Sequence, residues 1–403
     1  MLLLARLRVF IDPPSCPRPR RGERSLLHER LRSFIDPPPC PSPRRGRGTL
    51  LHERLRDLAL IPIEGPPAED GGQILRTALA LAAGTGQGFE MVRIREKAAR
   101  PGLRPEQVAA VRAAALVCSA RVHGGFDGSP DLRFEPGAVA PGDFRFEMGQ
   151  AGSAALVLQM VAPALAAASS ASQVAMAGGT HVVASPSFDY VARHWTAVVA
   201  SLGLRVRSTL TRAGFAPRGE GELQAQIGPW QRPSGPLMLE QRGSLAEVRG
   251  LSGSSRLKGD VARRQRDAAQ AILWERRRIE AVWEIVDEPS ASPGSFLLLE
   301  AVFEHGRGAF ALLGERGIAS EVLGERGARR LLRFIEDEEG AVDAHLADQL
   351  VVPLALAGGG GRVTTPEVTS HLVTAAGIAS RFGIPVSTWA RLGGPGGLDV
   401  GRC

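Results

Sequence analysis

The sequence predicts an α/β fold, and three observations carry the expectation. From residue 58 onward, short apolar runs alternate with glycines and amphipathic stretches, the texture of strands and helices taking turns along one chain. A glycine-rich turn leads straight into an apolar helix at 71–84 (GGQILRTALALAAG), and the arrangement returns at 149–165 (GQAGSAALVLQMVAPAL). Hydrophobic residues are 44% of the 403 and charged residues 23%, ordinary for a packed globular chain and too apolar for wholesale disorder. The length suits two or three domains.

The amino-terminal segment is of another kind. Residues 6–29 (RLRVFIDPPSCPRPRRGERSLLHE) and 30–53 (RLRSFIDPPPCPSPRRGRGTLLHE) agree at 18 of 24 positions, and a third copy starts at Arg54. Proline clusters and basic runs split each copy, and neither has enough apolar residues to stack a core. Residues 1–57 are therefore expected to be a low-complexity, disordered basic repeat. They are read either as an arm that touches RNA phosphates or as a tandem duplication lying upstream of a native start near Leu58.

Charge follows the same division. The formal net charge of +7 sits wholly in residues 1–57, which hold 13 Arg against six acids, while the remaining 346 residues carry 36 basic and 36 acidic groups. The basic total is thus no argument for a nucleic-acid surface on the folded part. Lys97 and Lys258 are the only lysines beside 47 Arg, a coding bias rather than a functional choice.

Along the folded part, the helix at 71–84 and the one at 152–165 each follow flexible glycines, and free N–H groups at such helix starts are natural anion sites. Gly-to-helix turns also occur throughout α/β proteins for purely structural reasons. A third apolar helix, 345–361 (HLADQLVVPLALAGGGG), ends in glycine, and a charged helix is expected at 260–278 (DVARRQRDAAQAILWERRR). GERG occurs at 314–317 and 324–327, read as a coincidence of composition and turn chemistry.

Several chemistries are excluded. There is no GxxxxGK[ST], HExxH or GxSxG, and nothing like the protein-kinase set. Cys16, Cys40, Cys118 and Cys403 form no CxxC pair, which argues against a disulfide framework or a cysteine-rich zinc site. The most apolar stretch, 151–168, contains Gln159 and Pro163 and is too weak for a membrane span. MLLLARLRVF lacks a signal-peptide core and cleavage site, so a cytoplasmic protein is expected.

Six blocks, in order, carry a family resemblance: EDGGQILRTALALAAGTGQ (69–87), ARPGLRPEQVAAVRAAA (99–115), GSAALVLQMVAPAL (152–165), GGTHVVASPSFDYV (178–191), HLADQLVVPLALAGG (345–359) and TSHLVTAAGI (369–378). Together they resemble the RNA 3'-terminal phosphate cyclases over roughly residues 60–392. The resemblance implies a large catalytic domain of three repeated sheet-plus-helices units, at 58–239 and 341–403. It also implies a smaller α/β domain inserted at 240–340.

It further implies that ATP drives conversion of an RNA 3'-phosphate to a 2',3'-cyclic phosphodiester, releasing AMP and pyrophosphate. The nucleophilic histidine of the resemblance falls on His371, in Ser370-His371-Leu372-Val373-Thr374. A neutral imidazole nitrogen can attack the α-phosphorus and form a labile phosphoramidate while pyrophosphate leaves. On bare sequence, a lone histidine is more often structural.

The resemblance places ATP contacts at Gln159, His345, Leu346, Ala347, Asp348 and Gln349, with His345 also the rival nucleophile. Arg76, Arg95 and Arg100 would hold the RNA phosphate. Glu69 would help a divalent metal, Mg²⁺ or Mn²⁺, that offsets charge on the triphosphate. Without the resemblance, the arginines read as solvated surface, and Asp348 and Gln349 as an exposed helix face. Asp70, Ala98, Gln107 and Glu220 depart from the family's pattern, mostly on the RNA-phosphate side, which implies altered 3'-end binding with the nucleotide chemistry kept. A different class of function stays open beside this one, a non-catalytic cyclase-like protein of RNA processing and ribosome assembly.

Overall fold

The computed structural model describes residues 60–66, 72–149, 152–231, 235–336 and 339–402. The repeat at 1–57, together with Glu69 and Asp70, lies outside them. The described residues form an α/β structure of eight α-helices and four mixed four-stranded sheets.

The first sheet has the order β1-β2-β4-β3, from Ile61–Glu64, Phe89–Val92, Leu132–Glu135 and Arg121–His123. β1 and β2 run parallel, which requires a crossover, and α1 (Gly72–Thr85) supplies it. α2 (Pro105–Cys118) then leads to the antiparallel pair β3 and β4. α1 is a run of strong helix formers buried over most of its length. α2 starts with proline at its first position, where no N–H is needed, and the Gln107 side chain accepts from the Arg104 amide at 2.9 Å.

The second sheet repeats this layout. β5 (Asp143–Glu147) and β6 (Ser172–Gly178) are parallel across α3 (Ala154–Leu165), and β7 (Val206–Arg212) and β8 (Gly221–Ile227) are antiparallel, in the order β5-β6-β8-β7. Ser153 caps α3 by accepting from the Leu156 amide at 3.3 Å. Between β6 and β7, a wide helical turn at Tyr190–Trp195 continues into α4 (Thr196–Val199).

The third sheet again pairs its first two strands in parallel, β9 (Leu237–Leu239) with β14 (Gly361–Thr365). β16 (Gly396–Val400) and β15 (Val386–Trp389) follow antiparallel. α7 (Ala344–Ala357) precedes β14, and α8 (Ser370–Arg381) joins β14 to β15.

The fourth sheet lies between β9 and α7 in the chain. Its order is β11-β10-β12-β13, from Val282–Asp287, Leu245–Ser255, Gly294–Phe303 and Arg307–Leu313, with α5 (Val261–Arg277) and α6 (Ser320–Glu336). β12 reads as a near-continuous apolar run because both its faces are buried. Phe296 and Leu298 join the core of the first three sheets, while Leu297, Leu299 and Ala301 join the core under α5 and α6.

The two GERG segments differ. The first lies before α6 and the second is inside it, where a Cβ on Gly324 would come within 2.2 Å of the Gln265 carbonyl. Turn chemistry does not account for that second copy: glycine there lets α5 and α6 approach closely. The helix expected at 345–361 stops earlier, because Gly358 turns left-handed (φ 73°) and ends α7.

Candidate active site

Helices α1, α3 and α7 enclose a cleft lined by Gln73, Arg76, Thr77, Gln159, Asp348, Gln349 and their apolar neighbours. Arg76 is one turn from Gln73 and donates to its side-chain oxygen at 3.2 Å. Gly72 leaves room for this guanidinium, since a Cβ there would meet Nη1 at 2.6 Å. Burial in the cleft pulls the Arg76 pKa down to about 10, so it stays a cation at neutral pH.

Gln159 and Gln349 meet within the cleft lining. The Gln159 amide donates to the Gln349 side-chain oxygen at 2.6 Å, joining α3 to α7 across 190 residues of sequence. Each glutamine stands four residues before a proline inside its helix, Pro163 or Pro353. Proline has no N–H to return to the carbonyl four residues back, so both helices are loosened where they face each other. The repeated Gln-x-x-x-Pro spacing is a signal that sequence reading passed over.

α7 and α8 meet beside this cleft. Thr369 caps α8, its hydroxyl accepting from the Leu372 amide at 3.0 Å and donating to Asp348 Oδ1 at 2.5 Å. His371 is the second residue of α8, and its Nδ1 lies 3.8 Å from Asp348 Oδ2. The imidazole is 57% exposed, whereas the Asp348 carboxyl is 8% exposed. Burial pushes the Asp348 pKa up to about 7. The Thr369 hydrogen bond opposes this, while the charges of Asp343 and Glu367 reinforce it.

Of the other expected residues, His345 is exposed on α7, three and four residues before Asp348 and Gln349 and so on the same stripe of the helix. Leu346 and Ala347 are fully buried in the core, where they seat the helix. Arg95 and Arg100 line a second cavity with Leu103, Arg104, Asp127 and Gly128. Arg100 is exposed there, but Arg95 is 1% exposed and donates to the Gly102 carbonyl at 3.0 Å. Among the departures from the family pattern, Gln107 is buried as a helix cap, and Glu220 occupies a left-handed turn (φ 29°).

Among the described residues, no three His, Cys, Asp or Glu side chains gather as a metal site. The described wall of the cleft offers one carboxylate, Asp348, already hydrogen-bonded to Thr369. These residues do not make a cage for a resident ion.

Sequence reading missed a buried ionic cluster beneath α7. His194 reaches Glu300 Oε1 through Nδ1 and Asp343 Oδ2 through Nε2, both at 2.8 Å. The chain's single tyrosine, Tyr190, donates to Asp343 Oδ1 at 3.2 Å. It also missed His181, whose Nε2 lies 3.0 Å from Asp189 and whose ring packs against both Phe215 and Phe296. Nothing local to His194 announces partners 106 and 149 residues away, whereas His181 and Asp189 stand only eight residues apart.

The fold and this cleft define an α/β protein that gathers polar and cationic side chains from three helices, with exposed His345 and His371 beside them. The sequence profile described as RNA 3'-terminal phosphate cyclase matches residues 68–385. A protein of that name from Ralstonia nicotianae is 42% identical over 328 residues, 81% of this chain and 92% of that one. One from Methylococcus capsulatus is 38% identical over 334 residues, covering 81% and 92%. A third, from Pseudomonas fluorescens, is 41% identical over 330 residues, covering 82% and 94%. The chain belongs to the RNA 3'-terminal phosphate cyclase family and is thereby an enzyme of the ligase class. No helix among the described residues is long and apolar enough to cross a membrane.

Proposed function

We propose that this protein uses ATP to convert an RNA 3'-terminal phosphate to a 2',3'-cyclic phosphodiester through a covalent histidine–AMP intermediate. The observation that carries the reading is the approach of His371 to Asp348, beside the cleft that holds Arg76, Gln159 and Gln349. Nδ1 is turned to the Asp348 carboxyl, and in this reading Nε2 is the attacking nitrogen. Its lone pair forms the N–P bond to the α-phosphorus as the bond to pyrophosphate breaks, and the Nδ1 proton stays on the Asp348 side. The RNA 3'-phosphate then takes AMP from nitrogen, and the vicinal 2'-hydroxyl displaces AMP to close the ring, losing its proton.

Gln159, Gln349 and exposed His345 serve the nucleotide, and the Arg76 cation serves phosphate oxygens. Leu346 and Ala347 act through the seating of α7. Arg95 and Arg100 belong to the RNA side, with Arg95 acting by shaping the loop that displays Arg100. A divalent cation enters as the counter-ion of the ATP phosphates.

The domain division belongs to the same reading: residues 58–239 with 341–403 form the catalytic body and 240–340 the insert. A cytoplasmic location is part of the same proposal. The test is turnover of an oligonucleotide ending in a 3'-phosphate. ATP-dependent loss of the phosphatase-sensitive end group supports the reading, and binding of that RNA without turnover would overturn it.

A further inference from the structure

We propose that His194 is a positioning residue for the nucleotide end of the cleft. Held as an imidazolium between Asp343 and Glu300, it fixes the first turn of α7 and with it the setting of Asp348 and Gln349.

The alternation along β12 sets up the problem that His194 solves. Phe296 and Leu298 face the body of the protein, and the next residue on that face is Glu300, 5% exposed. A carboxylate buried there needs partners. His194 Nδ1 is 2.8 Å from it and Arg307 Nε 3.6 Å.

The other ring nitrogen of His194 faces a second carboxylate, Asp343, at 2.8 Å. A neutral imidazole has one N–H and could donate to only one of the two. Both contacts are satisfied when the ring carries both protons. The group then balances, His194 and Arg307 against Asp343 and Glu300. Burial works against the charge on His194, but the hydrogen bonds and fields of the two carboxylates leave its pKa raised, and those of Asp343 and Glu300 lowered.

Asp343 transmits this to the cleft. It is fully buried and caps α7, accepting from the Leu346 amide at 3.0 Å, and it also accepts from the Ala309 amide and the Tyr190 hydroxyl, both at 3.2 Å. Asp348 lies five residues further on, roughly 7.5 Å along the helix axis. The helix that carries Asp348 and Gln349 thus begins at a carboxylate pinned by His194, and through Glu300 it is tied to the fourth sheet.

This role rests on the ATP reading above, because ATP is the ligand whose binding reports it. The test compares His194→Gln, Asp343→Asn, their double variant and Leu331→Ala, a buried leucine of the core under α5 and α6 that serves as a stability control. Three quantities are read: amide exchange over Leu346–Gln349, equilibrium binding of ATP, and the ATP concentration that half-saturates covalent labelling.

His194→Gln is expected to speed exchange there and weaken ATP binding about 10- to 100-fold, with less change in the limiting labelling rate. The double variant, having lost one charge of each sign, should regain part of that affinity, whereas Leu331→Ala should keep wild-type ATP dependence. Should His194→Gln fail to fold, Asp343→Asn, which keeps the cap oxygen, carries the same comparison. Unchanged exchange and unchanged ATP binding in the folded variants overturn the role, as does Leu331→Ala reproducing their defect. Absence of covalent label on the wild-type protein overturns the adenylyl reading instead, while exchange and ATP binding still decide this one.

Discussion

His371 and Asp348 meet side chain to side chain across two helices, Nδ1 to Oδ2 at 3.8 Å, with the other carboxyl oxygen taken by Thr369. An exposed imidazole thus stands next to a buried acid that is itself held by a helix cap. In the proposed reaction this places the imidazole at the edge of the nucleotide cleft before any substrate arrives.

Asp348 should cost the folded protein stability at neutral pH. Its pKa is raised on folding from 3.8 to about 7, so between those values the native state binds the extra proton and stability falls as pH rises. Asp348→Asn removes this cost, and we expect thermal unfolding near pH 8 to show a gain of roughly 2–4 kcal/mol that fades towards pH 4. Covalent labelling by ATP should drop by about 100-fold in the same variant. A variant no more stable than wild type at pH 8 would show that the carboxyl is not strained by burial.

Gln159 and Gln349 should behave as one unit towards ATP. Each single change to alanine is expected to raise the half-saturating ATP concentration about 10-fold. The double change should do little more, because either substitution already breaks the 2.6 Å bond. Strictly multiplicative effects in titrations of the three variants would mean that the two side chains act separately.

Residues 1–57 should be dispensable for catalysis. They carry the whole formal excess of +7, while the rest of the chain is net zero. A chain starting at Leu58 is expected to turn over a 3'-phosphorylated oligonucleotide at the wild-type rate. Its RNA binding should show a shallow dependence on salt, since few phosphate counter-ions are released. Loss of turnover, or a steep salt slope kept without the arm, would place the RNA grip differently.

Much of the fold is legible in the chain because its signals are local. The alanine- and leucine-rich run after Gly71-Gly72 is expected as a helix at 71–84 and is found at Gly72–Thr85. The charged segment expected at 260–278 is found as Val261–Arg277. What escaped is set by packing over long separations. The burial of Arg95 depends on Gly102, whose left-handed turn (φ 84°) brings it against Gly128, so that an arginine expected on the surface is enclosed. The second GERG could not be told from a turn until α5 lay across it.

The site divides along the same line. Asp348, Gln349 and His371 stand in two short blocks and could be singled out from sequence resemblance. The pairing of Gln159 with Gln349 spans 190 residues and is hinted at only by the shared Gln-x-x-x-Pro spacing, while the partners of His194 lie 106 and 149 residues away with no local pattern to mark them.

The most direct measurement of the central claim is incubation of the protein with ATP labelled at the α-phosphate, followed by denaturation and mapping of the label. An acid-labile AMP adduct is expected at His371, absent from His371→Ala and still present in His345→Ala. A protein that takes up no label, or takes it up undiminished after His371→Ala, would contradict it.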